Sequence, residues 1–168
     1  NISHNNKYFR QLVHLHAQQY PCGIHPSYRS NQSQDLLDKE IHRLEKITKL
    51  RTFRSRQHFL KLKLPTSYRR LINLGIQQDY SMGYASQPGF RASIAQSFPW
   101  FDLEQNKVQG LEIIPFQLMD VTLNTYLELT PDKAIESAIK IIKTTRNVNG
   151  HLVSIWHNSS LCEAWQWK

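Results

Sequence analysis

Short apolar stretches alternate with longer segments of helical periodicity along this chain, and that alternation constrains its fold more than any other feature. Strand-like segments fall at Pro21–His25, within Thr52–Phe59, and at Ile76–Tyr80, Leu111–Phe116 and His151–Trp156. Between them, Phe9, Leu12, Val13 and His16 mark a helix over 6–19. Leu37, Ile41, Leu44 and Ile47 recur at helical spacing, with Asp35 as the expected cap. Pro65–Gly75 reads as a compact helix closed by glycine. Pro131 opens a further helix in which Ile135, Ala138, Ile139 and Ile142 share one stripe. Strands separated by helices of about ten to fifteen residues imply βα units on a parallel sheet. Residues 80–109 are less regular and are expected to form long loops over one face, where such folds build their substrate sites.

No repeat, low-complexity tract or Pro/Gly/Ser-rich linker divides the 168 residues, so they read as one domain, 1–168. No run of apolar residues reaches the length of a membrane span. The first residues, Asn1–Arg10, lack the apolar core of a signal peptide, which tilts the expected location toward the cytoplasm while leaving open a leader on a longer parent. Cys22 and Cys162 form no CxxC pair and read as two thiols, in keeping with a reducing compartment. The net charge of +8 invites a nucleic-acid reading, most of all at Lys49–Arg56 followed by Lys61 and Lys63. No zinc-finger, RNP, GXXG or basic-zipper pattern accompanies it. An anionic saccharide, a phosphorylated lipid head group or plain solvation accounts for the charge as well, and no nucleic-acid partner is expected. Nothing in the sequence speaks to oligomeric state.

Three histidines stand just past apolar strand candidates: His25, His58 and His157. Imidazole can ligate a divalent metal or transfer a proton near neutral pH, so three strand-end histidines suggest a shared site. Each could instead cap its own strand. Asp79 ends its strand segment, where a carboxylate could orient a histidine, ligate metal, act as base or merely cap backbone amides; Asp102 and Asp120 are weaker versions of the same idea. Arg56 and Arg91 sit among short or apolar residues, where a guanidinium often holds a carboxylate or a substrate anion. Tyr28, Tyr80, Tyr84, Trp100 and Trp156 could line a sugar site or fill the core. HExxH, GxSxG and glycine-rich nucleotide motifs are missing, and Ser159-Ser160 has no nucleophile-elbow context.

These residues lie in segments that together resemble the polysaccharide deacetylase superfamily (NodB-homology, carbohydrate esterase family 4), within an uncharacterised bacterial subgroup. The segments are Gly23-Ile-His-Pro-Ser-Tyr-Arg-Ser30, Ser55-Arg-Gln-His-Phe-Leu60, Gly75-Ile-Gln-Gln-Asp-Tyr-Ser-Met-Gly-Tyr84, Gly89-Phe-Arg91, Pro115-Phe-Gln-Leu-Met-Asp120 and Trp156-His-Asn158. The resemblance implies a distorted (β/α) barrel that hydrolyses an acetyl group on a glycan with a divalent metal, zinc most readily. It makes His25 the first histidine of the metal motif, Arg56 the arginine bracing the catalytic base, Asp79 the aspartate near it, and His157 the acid for the leaving amine. The motif's second histidine has no match, since Arg29 stands there, and His58 is the expected substitute ligand. Tyr28, Tyr80, Arg91, Trp100 and Trp156 are the expected substrate contacts. The early Thr-Phe-Asp-Asp segment, which supplies the base and a metal-binding aspartate, has no counterpart before His25. The chain therefore reads as a C-terminal piece of the barrel lacking its first strand, inactive alone. Two alternatives stand beside a deacetylase. One is a catalytically degenerate barrel that binds a saccharide or protein partner. The other is a glycoside hydrolase, which needs two facing carboxylates among Asp79, Asp102 and Asp120.

Overall fold

The computed structural model describes residues 2–162, which form two compact units. Unit one contains the residues up to Asp79 together with Phe101–Leu111; unit two contains Tyr80–Trp100 and the residues from Glu112 onward.

In unit one, helix α1 (Lys7–Gln19) starts at Asn6, whose side-chain oxygen accepts the N–H groups of Tyr8 and Phe9 at 3.0 and 3.1 Å. Its buried side is centred on Ala17, while Leu12 and His16 are exposed, so the inward stripe runs through Phe9, Val13 and Ala17. Helix α2 (Gln34–Thr48) packs against α1 and buries Leu37, Ile41 and Ile47. Its cap is Ser33, whose hydroxyl accepts the Leu36 N–H at 3.3 Å. Asp35 does not cap. It lies in the first turn, where its charge meets the positive end of the helix dipole.

Strand β1 (Arg54–Ser55) pairs in parallel with β2 (Gln78–Asp79), with Ser55 opposite Asp79. The apolar segment around Ile24 contributes a single parallel bridge to Ser55. Ile24 donates to the Arg54 carbonyl at 2.8 Å and accepts from the Arg56 N–H at 3.0 Å. Helix α3 (Thr66–Asn73) buries Tyr68 and Leu71, and Gly75, at φ +78°, turns the chain toward β2.

Strands β3 (Phe98–Asp102) and β4 (Lys107–Ile113) complete the order β1-β2-β4-β3. So short a connection between neighbouring strands permits only an antiparallel hairpin. A hairpin therefore stands where loops were expected, its first strand disguised by Pro99, a residue that reads against a strand interior. Asp102 anchors the turn: it accepts the N–H groups of Glu104 and Gln105, and it is buried under a two-point contact from Arg69 at 2.6 and 2.9 Å.

Unit two is built around β5 (Leu118–Met119) and β6 (Ser154–Ile155), a parallel pair connected through helix α4 (Pro131–Asn147). Phe116, Leu118, Met119, Leu123, Ala134 and Ile155 are its core. Helix α4 turns Ala134 and Thr145 inward and leaves Ile135, Ile139 and Ile142 at 57, 43 and 44% exposure. The isoleucine stripe thus faces away from the core. Ile135 and Ile142 of that stripe, with Leu118, Leu123, Leu152 and Trp156, border an apolar groove of about 570 Å³.

Both sheets are open, and the described residues close no barrel. No helix among them is long and apolar enough to cross a membrane.

Candidate functional site

Each unit gathers polar groups at the carboxyl ends of its parallel strands, the end where open α/β sheets carry ligands. In unit one the loop after Ile24 brings His25 against the turn after β1. The ring Nδ1 of His25 lies 2.7 Å from the Arg56 carbonyl oxygen, which can only accept. The proton is therefore on Nδ1, and Nε2 presents its lone pair. His58 Nδ1 lies 3.0 Å from that Nε2, so in the neutral pair His58 donates to His25. The chain His58 → His25 → Arg56 carbonyl fixes the neutral tautomer of both rings.

Below this pair, Ser55 donates its hydroxyl to Asp79 at 2.6 Å, and both residues are buried at adjacent strand ends. The wall is aromatic. Phe59, 67% exposed, stands edge-on to His58 and to Tyr28, and Lys61 bonds the Tyr28 hydroxyl at 3.0 Å while lying 4.3 Å from its ring centre. Phe59 and Leu60 both hold positive φ, +54° and +52°. Bulky side chains pay for that conformation in strain, which tends to collect at functional loops. Sequence reasoning missed Phe59. The only signal was its place beside His58, because nothing local announces a left-handed turn without glycine.

In unit two the carboxylate is Asp120, directly after β5 and buried. Its Oδ1 accepts the Val121 N–H and the His157 ring Nδ1–H, both at 2.7 Å. Its Oδ2 accepts the His157 main-chain N–H at 2.6 Å and the Ser160 hydroxyl at 2.5 Å. Burial pushes this carboxyl upward, but the hydrogen bonds from Ser160, His157 and Val121 outweigh it and leave the group below its ordinary value. A charged Asp120 holds His157 with Nδ1–H inward and Nε2 outward, the orientation a proton-transferring histidine needs. Asp120 is thus the partner of His157, a stronger position than its sequence context suggested. Ser160 reaches it because a short 3-10 turn, Asn158–Leu161, folds back after β6.

The other expected residues distribute as follows. Arg56 contributes its main chain to the His25 arrangement and is half-buried. In unit two, Tyr80 and Arg91 are half-buried, Arg91 donating to the Gly83 carbonyl at 3.2 Å; Trp156 is 52% exposed beside the groove, and Trp100 is buried in the core. Asp102 is structural: the Arg69 guanidinium, prevailing over the opposing effect of burial, holds its carboxyl below the usual range. Among the described residues no three His, Cys, Asp or Glu side chains converge as a metal cluster would. With the His25 ring engaged by the Arg56 carbonyl and by His58, these described residues as arranged do not make a complete divalent-metal site.

No family profile and no curated protein matches the chain. Its fold does match a crystal structure from Mycobacterium smegmatis whose assignment as a polysaccharide deacetylase is itself provisional. The TM-score is 0.65 at 16% identity, covering 88% of this chain and 52% of that one. A second structure, from Bordetella bronchiseptica, carries a provisional assignment as a polysaccharide deacetylase involved in O-antigen biosynthesis. It aligns at TM-score 0.48 and 15% identity over 74% of this chain and 48% of its own. The first likeness shows a shared fold, and the chain spans about half the length of the structures it matches.

Proposed function

We propose that residues 1–168 are a partial polysaccharide deacetylase-like domain, part of a distorted (β/α) barrel that other residues complete. The whole protein would hydrolyse the carbon–nitrogen bond of an N-acetyl group on a glycan. The observation that carries this reading is the Asp120–His157 pair at the adjacent ends of β5 and β6, in a fold shared with a protein provisionally assigned that activity. The two open sheets and the outward isoleucines of α4 support the incompleteness of the barrel.

In this reading His157 delivers a proton from Nε2 to the leaving amine, while Asp120 stabilises the imidazolium that precedes transfer. Within unit one, His25 and His58 form their own polar cluster with Asp79 and Arg56, offered as a second set of groups for a polar ligand. The rings of Tyr28 and Phe59 offer faces to a sugar, as do Tyr80 and Trp156 in unit two, where Arg91 holds a loop in place. A divalent metal would need at least one ligand beyond His25 and His58.

The test is acetate release from N-acetylated chito-oligosaccharides by the full-length protein, compared with His157→Gln and His25→Ala. Turnover that falls by about 10²- to 10⁴-fold in His157→Gln supports the acid role. A folded wild-type protein that releases no acetate, or a His157→Gln variant with unchanged turnover, overturns it.

A further inference from the structure

Unit one carries a second concave feature, lined by none of the residues assigned above. Lys39, His42, Arg43 and Lys46 on α2 and Arg10 on α1 open onto a groove of about 460 Å³ that His4 and Asn5 also line. Positions 39, 43 and 46 follow i, i+4 and i+7 spacing, so the cations share one face of α2. A single carboxylate, Asp38, lines the groove, and it is engaged with His42 at 3.1 Å. Two further carboxylates of α2 are committed elsewhere: Glu40 accepts the Ser27 N–H and Glu45 the Thr52 N–H, both at 2.8 Å. Four permanent cations against one carboxylate leave a surplus of three positive charges in one concavity.

Like charges at helical spacing repel by about 0.2–0.5 kcal/mol per pair, and an anion in the groove would relieve the Lys39–Arg43 and Arg43–Lys46 pairs. Among the described residues no aliphatic side chain lines the groove to meet an acyl chain, and no phenyl or indole ring to stack a base. What remains is a cationic bowl with guanidinium forks, suited to a compact multivalent oxyanion. We infer that this groove binds a phosphoryl or pyrophosphoryl group on a soluble ligand.

The experiment titrates the 168-residue chain with inorganic pyrophosphate by calorimetry at low salt, and compares an Arg43→Gln/Lys46→Gln variant with Lys133→Gln/Lys140→Gln on α4, which removes equal charge from exposed positions. The groove variant loses about tenfold or more in affinity, the loss expected when charge-assisted bonds are removed, while the α4 variant stays within about twofold. Equal losses in both variants would mean diffuse charge and overturn the site, as would a wild-type chain with no saturable binding. Phosphatidic-acid vesicles that sediment the chain, with pyrophosphate failing to compete, would overturn the soluble source. Circular dichroism checks the fold of each variant; were the double variant unfolded, Lys39→Gln alone must weaken pyrophosphate binding measurably or the inference fails.

Discussion

Replacing Asp120 by asparagine tests whether one carboxylate ties the ends of β5 and β6 together. The amide keeps one acceptor and turns the other oxygen into a donor. With its oxygen in the Oδ1 position it still receives Val121 and the His157 ring, but its NH₂ then faces the His157 main-chain N–H and Ser160. The serine hydroxyl can rotate to accept; the main-chain N–H cannot. A stranded buried donor costs about 1–3 kcal/mol, and each charge-assisted bond reduced to a neutral one loses about 1 kcal/mol more. Release from burying a charge offsets part of this. Only part, because the carboxyl sits below its ordinary value, which means its hydrogen bonds outweigh burial. The expected loss is about 2–4 kcal/mol, or a Tm lower by roughly 5–12 °C for a chain of this size. Urea melts followed by tryptophan fluorescence and by circular dichroism measure it. A change below about 0.5 kcal/mol would refute the claim that Asp120 organises this end of the sheet.

Three further outcomes follow from the same structure. Asp102 and Asp120 are both held below their ordinary carboxyl values, so their stabilisation is complete above about pH 4–5 and drains as the pH falls through the folded values. Tm measured from pH 6 to 2 should therefore fall on the acid side, with a shallower limb in Asp120→Asn; parallel limbs would contradict this. Gly83→Ala places a Cβ 2.3 Å from the buried Phe116 ring and should cost about 1–3 kcal/mol in a denaturant melt. Ile139→Gln, on the outward stripe of α4, should change stability by less than about 0.5 kcal/mol, whereas a loss typical of a core position would show that the stripe is packed.

The helices were legible because their signals are local. Leu37, Ile41 and Ile47 had to share a face, and Pro131 and Gly75 stand where helices begin and end. Which face meets the core is not local, and the isoleucines of α4 point outward because Ala134 and Thr145, a weaker stripe by composition, fit against the rest of unit two. The β3–β4 hairpin escaped notice because Pro99 reads as a breaker and only the pairing partner shows that it is tolerated. At the site, the strand-end positions of His25, His58 and His157 were readable. Their partners were not: the acceptor for His25 is a main-chain carbonyl, invisible in any side-chain pattern, and Ser160 becomes relevant only once a turn brings it back to Asp120.

The outward isoleucines also bear on how the chain would behave in concentrated solution. A greasy furrow open to water is adhesive toward any other greasy surface, including the same furrow on a neighbouring molecule. Contact between such furrows would set a concentration ceiling, read as light scattering that rises with protein concentration. Sulfate salts should lower that ceiling by strengthening apolar contact, and dilute urea should raise it before the helices melt.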